Sequence, residues 1–271
     1  MGSTKTSAIT RNNVRILGKG TQPILFSHGY GCDQTMWRHV YPAFLEDYKV
    51  VLFDHTGAGK SDESEYSYDK YNVLDGYAED MLEICAELGL QNVIIVAHSV
   101  SSMIAALATI KKPEIFSALI MVGPSPRYID DKDYRGGFNE KDIEELMEAL
   151  ESNYLGWAAS IAPQIMGNPE NPELGEELTN SFCQSNPEIA KHFARVTFLS
   201  DNRKDLPAVK VPTLIMQCSQ DIIAPIEVGK YVHRQIPGST MKILEATGHC
   251  PNLSAPEETI EVIKDYLREI L

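Results

Sequence analysis

Three residues of this chain have the types and surroundings for nucleophilic catalysis. Ser99 lies in Ile94-Ile95-Val96-Ala97-His98-Ser99-Val100-Ser101-Ser102, where four apolar residues fit a buried strand and the following MIAALATI fits a helix. A serine at so abrupt a junction is held out above a sheet edge, with the free N–H groups of the helix start aimed at whatever it attacks. A serine hydroxyl is a poor nucleophile at neutral pH, so it needs a base, and the base needs an orienting carboxylate. His249 follows the apolar MKILEA in a Thr247-Gly248-His249 turn and is the best base. Asp221 follows LIMQC in Ser219-Gln220-Asp221, ahead of a helix predicted near Pro225, and is the best orienter.

Attack on a carbonyl places negative charge on its oxygen, which two preorganised backbone N–H groups would stabilise. Val100, at the start of the predicted helix, supplies one. The loop His28-Gly29-Tyr30-Gly31 supplies the other, most plausibly from Tyr30, because its glycines can turn an amide inward. Competing assignments are weaker. Strand alternation turns His98 away from the nucleophile, leaving it a packing or hydrogen-bonding role. The run from Asp54 ends in Gly59-Lys60-Ser61 but has aspartate where a phosphate loop needs glycine. The histidines show no metal-binding spacing, so no metal and no cofactor are expected.

Holding these residues together requires an α/β scaffold. PILFS, KVVLFD, NVIIVA, ALIMVG, TLIMQC and MKILEA are short apolar strand candidates separated by helical patterns, which implies a mostly parallel sheet with helices on both faces. Leu74, Tyr77, Met81, Ile84, Cys85 and Leu88 mark one helix face; Ile260, Ile263, Leu267 and Ile270 mark another. The rhythm breaks after Val122. The chain is therefore divided into a core segment 1–124, a helical cap 125–206 carrying the stripe Ile143, Leu146, Met147 and Leu150, and a second core segment 207–271. A cap over the carboxyl edge of the strands would cover the ligand site of an open α/β sheet. Its Trp157, Phe182, Phe193 and Phe198 are candidate walls of a hydrophobic pocket, or else the cap's own core. The order Ser, Asp, His along three such strands is that of an α/β-hydrolase.

Composition narrows the partners. The 271 residues are 43% hydrophobic, enough for a large core, and the net charge of -14 offers no basic stripe for nucleic acid. Five scattered cysteines form no C-x-x-C pair and read as thiols of a reducing compartment. The N-terminal MGSTKTSAITRNNVR lacks an apolar signal region and no apolar run reaches membrane-spanning length, so a cytoplasmic protein without membrane contact is expected.

The chain resembles the α/β-hydrolase family, and within it the group containing the bacterial RsbQ-type stress regulators and the plant strigolactone and karrikin receptors. The resemblance runs from Ser7 onward through HGYGCDQTMW, LFDHTGAGKSD, YNVLDGYAEDM, AHSVSSM, MVGPSPRYIDD, GGFNEKDIEELMEALESNYLGWA, QCSQDIIAPIEVGKYVH and GHCPNLSAPEETI. It implies Ser99 as nucleophile, Asp221 as acid, His249 as base and the Tyr30 and Val100 amides as oxyanion donors, beneath a four-helix cap. It further implies a small hydrophobic ester or lactone as substrate. The bacterial regulator is the closer match in this reading, which implies a positive role in stress signalling with a PAS-domain phosphatase as partner. Two other readings use the same residues: a ligand receptor with residual hydrolysis, and a carbon-carbon bond hydrolase or acyl transferase. The family's GHSVG is AHSVSS here, so Ala97 and Ser101 are expected to crowd the turn.

Overall fold

The computed structural model describes residues 6–271. The first five residues of the N-terminal stretch, read above for a signal region, lie outside the described residues. Seven strands form one sheet: β1 (Arg15–Leu17), β2 (Gln22–Ser27), β3 (Tyr48–Leu52), β4 (Val93–His98), β5 (Phe116–Val122), β6 (Thr213–Gln220) and β7 (Thr240–Thr247). Their order is β1-β3-β2-β4-β5-β6-β7, with β1 antiparallel to β3 and every other pair parallel. Each of the six apolar runs corresponds to one of β2 to β7. β1 escaped the sequence reading because it has three residues, two of them exposed, and so carries no burial period.

Period-two alternation in the strands divides the interior. Ile24, Phe26, Ile94, Val96, Ala118, Ile120 and Val122 belong to one hydrophobic cluster, and Leu25, Val93, Ile95, Ala97, Leu119 and Met121 to another. Both faces therefore need helices, as parallel sheets do. The helices are α1 (Ala8–Arg11), α2 (Leu74–Glu87), α3 (Val100–Lys111), α4 (Glu140–Ser152), α5 (Tyr154–Met166), α6 (Pro172–Gln184), α7 (Pro187–Phe198), α8 (Ile226–Gln235), α9 (Pro251–Ser254) and α10 (Pro256–Ile270). α2 buries Leu74, Tyr77, Met81, Ile84 and Cys85, and Leu88, at its C-cap, is half-buried and packs against the same cluster. α3 is buried on every side from Val100 to Thr109.

The four helices α4 to α7 all lie between β5 and β6 and form the multi-helix cap. Local chemistry starts and stops each one. Asn139 and Asp142 form a reciprocal capping box at α4, and the Asn153 and Asn186 side chains accept amide hydrogens at the starts of α5 and α7. Pro172 and Pro187 occupy first-turn positions, where a missing N–H costs nothing. Among the described residues, no helix is long and apolar enough to cross a membrane.

Candidate active site

Ser99 stands between β4 and α3 with φ 57° and ψ -127°, in the left-handed region that non-glycine residues avoid. The turn is held by the Ser99 amide, which donates to the Val122 carbonyl at 2.8 Å, and by the Ser102 hydroxyl, which donates to the Ala97 carbonyl at 3.0 Å. Asp221 follows β6 directly, and His249 comes two residues after β7. Because β4 to β7 are neighbours in register, their carboxyl ends bring the three loops together.

His249 Nε2 lies 2.8 Å from Ser99 Oγ, and His249 Nδ1 lies 2.7 Å from Asp221 Oδ2. The second Asp221 oxygen accepts the amides of Ile223 at 2.8 Å and Ala224 at 3.0 Å, which fixes the carboxylate in rotation. With Nδ1 donating to the carboxylate, Nε2 is left free to take a proton from the serine. All three residues are buried. Two glycines make room. A Cβ on Gly248, whose φ is 81°, would sit 1.8 Å from the Met166 carbonyl oxygen; one on Gly123 would sit 3.2 Å from the imidazole.

The loop of residues 28–31, expected to supply an oxyanion donor, follows β2, and β2 pairs directly with β4, so Tyr30 and Val100 come from adjacent strand ends. Among the described residues, neither amide has a hydrogen-bond acceptor. Ala97 and Ser101 do not crowd the turn. Ala97 is fully buried in one of the two hydrophobic clusters. Ser101 Oγ donates to the His28 carbonyl at 2.5 Å and accepts from His55 Nε2 at 2.7 Å. His28 in turn accepts the His55 amide at Nε2 (3.0 Å) and donates from Nδ1 to the Gly29 carbonyl (2.9 Å). A serine hydroxyl thus ties the helix after the nucleophile to the loop carrying Tyr30. Burial, with the neighbouring His28, pushes the His55 pKa well below the usual histidine range and keeps it neutral.

His98 also has a task at the site. Its Nε2 donates to the His249 carbonyl at 2.8 Å, its ring centroid is 5.0 Å from that of His249, and it lines the cavity over Ser99. The hydrogen-bonding role expected of His98 is thus exercised on the loop that carries His249. Burial, then the nearby His249, pushes its pKa down to about 3. The Gly-Lys-Ser run is closed on Asp54, whose carboxylate accepts the amides of Gln34 at 2.8 Å and Lys60 at 2.9 Å. No group of three or more His, Cys, Asp or Glu among the described residues is arranged to hold a metal ion.

The cavity over Ser99 has about 30 Å³ of free volume, room for roughly one or two waters. Phe182 and Phe198 line it. Trp157 stands behind, stacked on Phe182 at 6.0 Å, and Phe193 packs against Tyr77 at 4.5 Å, so neither of these two aromatics reaches the cavity wall. Tyr128, Ile165, Leu178, Thr197 and Ile223 complete the wall, with Cys32 and Cys250. The sequence reading had not singled these out. Tyr128, in GPSPRY just beyond β5, was the most accessible of them to a rule that inspects strand ends. Its hydroxyl lies beside Ser99, and burial pushes its pKa up. A larger cleft of about 840 Å³ between α5 and α6 contains none of the three catalytic candidates.

The cap is fastened to this site at several points. Ser181 Oγ donates to the Gly31 carbonyl at 2.8 Å, the Tyr30 hydroxyl donates to the Ala190 carbonyl at 3.1 Å, and Arg38 pairs with Glu177 through two contacts of 2.6 Å. The His249 amide donates to the Ile165 carbonyl at 2.9 Å, and Asn168 Nδ2 to the Thr247 carbonyl at 3.0 Å.

Residues 22–256 match the family model described as the alpha/beta hydrolase fold. The chain is 39% identical over 257 residues to the karrikin insensitive 2 receptor CA of Petunia hybrida, covering 94% of this chain and 95% of the relative. It is 38% identical over 256 residues to the strigolactone esterase D14 of Arabidopsis thaliana, covering 94% and 96%. A solved hydrolase from Oleispira antarctica superposes with a TM-score of 0.94 at 40% identity, covering 96% of each chain.

Proposed function

Since the chain belongs to the α/β-hydrolase family, we propose that it hydrolyses a small, mainly apolar ester or lactone at Ser99, and that it does so slowly while serving as a ligand-binding signalling protein. The observation that carries the chemistry is the continuous hydrogen-bonded series from Ser99 through His249 to Asp221, 2.8 and 2.7 Å long, inside a buried apolar pocket. His249 Nε2 takes the Ser99 proton as Oγ bonds to the carbonyl carbon. The displaced electron pair settles on the carbonyl oxygen, where the Tyr30 and Val100 amides receive it. Collapse of this intermediate expels the alkoxide, which leaves with the proton held by His249. A water deprotonated by His249 then adds to the acyl-enzyme, and a second collapse returns Ser99 and releases the acid.

Slow turnover follows from enclosure. Cap residues wall the site, and the contacts that fasten the cap to the core restrict both entry and release. The relatives named as karrikin receptor and strigolactone esterase support a role in which binding itself is the signal. The narrower expectation of a stress regulator with a PAS-domain phosphatase partner rests on the sequence resemblance alone. A fluorophosphonate probe tests the chemistry: one covalent adduct on the wild type and none on Ser99→Ala is expected, and equal labelling of both refutes it. Affinity capture from the native cell, with and without an added butenolide, tests the signalling part; the absence of any ligand-dependent partner counts against it.

A further inference from the structure

We infer that Thr197 is a specificity-determining residue that selects ligands carrying a second oxygen acceptor, an ether or carbonyl oxygen, within reach of the carbonyl attacked by Ser99. The inference rests on the hydrolase reading above and adds the substrate class. Thr197 lies in α7 one residue before Phe198 and lines the same cavity as Ser99 and His249. It is 2% exposed, and its Oγ1 is buried with no hydrogen-bond partner among the described residues.

A threonine in a helix ordinarily satisfies its hydroxyl on the preceding turn. Three others in this molecule do so: Thr109 donates to the Ala106 carbonyl at 2.8 Å, Thr179 to Gly175 at 2.8 Å and Thr259 to Ala255 at 3.0 Å. Thr197 does not take that route. An unpaired hydroxyl at a buried position costs folding free energy, which a ligand that accepts its hydrogen restores on binding. Ile165, Leu178, Phe182, Phe198 and Ile223 make much of the surrounding wall apolar. Of the polar groups in the same lining, the Tyr30 hydroxyl already donates to the Ala190 carbonyl, His98 Nε2 to the His249 carbonyl, and the Tyr128 hydroxyl lies beside Ser99. An unpaired donor in a largely apolar wall rejects an analogue lacking the matching acceptor more strongly than it rejects a change of one methylene. β-Branching confines a helical threonine to two χ1 rotamers, so the acceptor must lie within a restricted range of positions along the ligand.

The test compares 4-nitrophenyl hexanoate with three isosteres in which an ether oxygen replaces acyl carbon 3, 4 or 5. Hydrolysis of each is measured as kcat/KM on wild type, Thr197→Ser and Thr197→Val. Intrinsic ester reactivity cancels in the ratio of each isostere to hexanoate, compared between proteins. For at least one isostere, the wild-type ratio is expected to exceed that of Thr197→Val by about 5- to 30-fold, with Thr197→Ser keeping the preference. Ratios within twofold for all three isosteres, or Thr197→Ser behaving as Thr197→Val, overturn the inference. A second arm reads binding without turnover: calorimetric affinities of ethyl hexanoate and its three ether isosteres for Ser99→Ala, with and without Thr197→Val. If the wild type hydrolyses none of the esters, the hydrolase reading fails. Thr197 is then decided by the binding arm, where selective weakening of one isostere supports the inference and uniform affinities overturn it.

Discussion

Replacing Ser101 with alanine removes a single hydroxyl at the point where the helix after Ser99 meets the loop of residues 28–31, the proposed source of an oxyanion donor. The hydroxyl donates to the His28 carbonyl and accepts from His55 Nε2. After the change, His55 retains an alternative in the Ser27 hydroxyl, 3.2 Å from the same nitrogen. The buried His28 carbonyl loses this donor, and a buried polar group deprived of its partner costs about 1–3 kcal/mol. Ser101→Ala is therefore expected to lower unfolding free energy by about 1–3 kcal/mol in urea titration. Ser102→Ala, which removes one ordinary bond to Ala97, should cost about 1 kcal/mol. The catalytic effect is separable. His28 is two residues from Tyr30, so release of its carbonyl lets the Tyr30 amide drift from the developing oxyanion. Complete loss of such a donor is worth on the order of 3 kcal/mol. Ser101→Ala should accordingly reduce kcat by about 10- to 100-fold with KM little changed, and weaken a boronic acid that forms a tetrahedral adduct by a similar factor. Full kcat with unchanged stability would refute the reasoning. Reduced stability with full kcat would show that the hydroxyl serves folding only.

Asp221→Asn retains the shape of the orienter but can present its amide to His249 Nδ1, selecting the wrong tautomer. Stopped assays of ester hydrolysis should show kcat lower by roughly 10³–10⁴, and a loss under tenfold would count against the assigned role. Thr197→Val removes the buried unpaired hydroxyl at nearly constant shape and should leave the ligand-free protein as stable as wild type or up to about 1 kcal/mol more stable, as read from the urea midpoint. Stability should fall on acidification below about pH 6.5. His98 is held neutral in the fold with its pKa near 3, so between these values the unfolded chain binds the extra proton. The stabilisation is complete above the unfolded pKa and is lost as pH falls towards the folded one. From pH 6.5 to 4.5, His98 alone should remove roughly 2 kcal/mol, and the depressed His55 acts in the same direction. His98→Gln should flatten the slope of the urea midpoint against pH; an unchanged slope would contradict the assignment.

The residues most legible in the sequence were those whose environment is local. Ile94 to Ala97 fit a buried strand, MIAALATI fits a helix, and Ser99 between them falls at the turn. Asp221 and His249 follow apolar strands for the same reason, so their loops share one sheet edge in any parallel arrangement. β1 was not legible because three half-exposed residues carry no period, and its place is set by pairing with β3. Trp157, Phe182, Phe193 and Phe198 were equivalent as aromatic residues of helical segments. Only the docking of α5, α6 and α7 decided that Phe182 and Phe198 face the cavity while Trp157 and Phe193 stand behind.

Ser101 and Thr197 mark the boundary most plainly. By sequence, Ser101 was an oversized residue in a tight turn, and Thr197 was an unremarked position in an amphipathic helix. In the folded chain, Ser101 is joined to a carbonyl 73 positions away, and Thr197 lines the cavity over Ser99 with its hydroxyl unpaired among the described residues. Sequence determined the nucleophile, its base, its orienting acid and the strands that carry them, because those follow from hydrophobic period and chain order. Tertiary structure decided which side chains tie the Tyr30 loop to the helix after Ser99 and which line the cavity, because hydrogen-bond satisfaction depends on partners that chain order does not bring near.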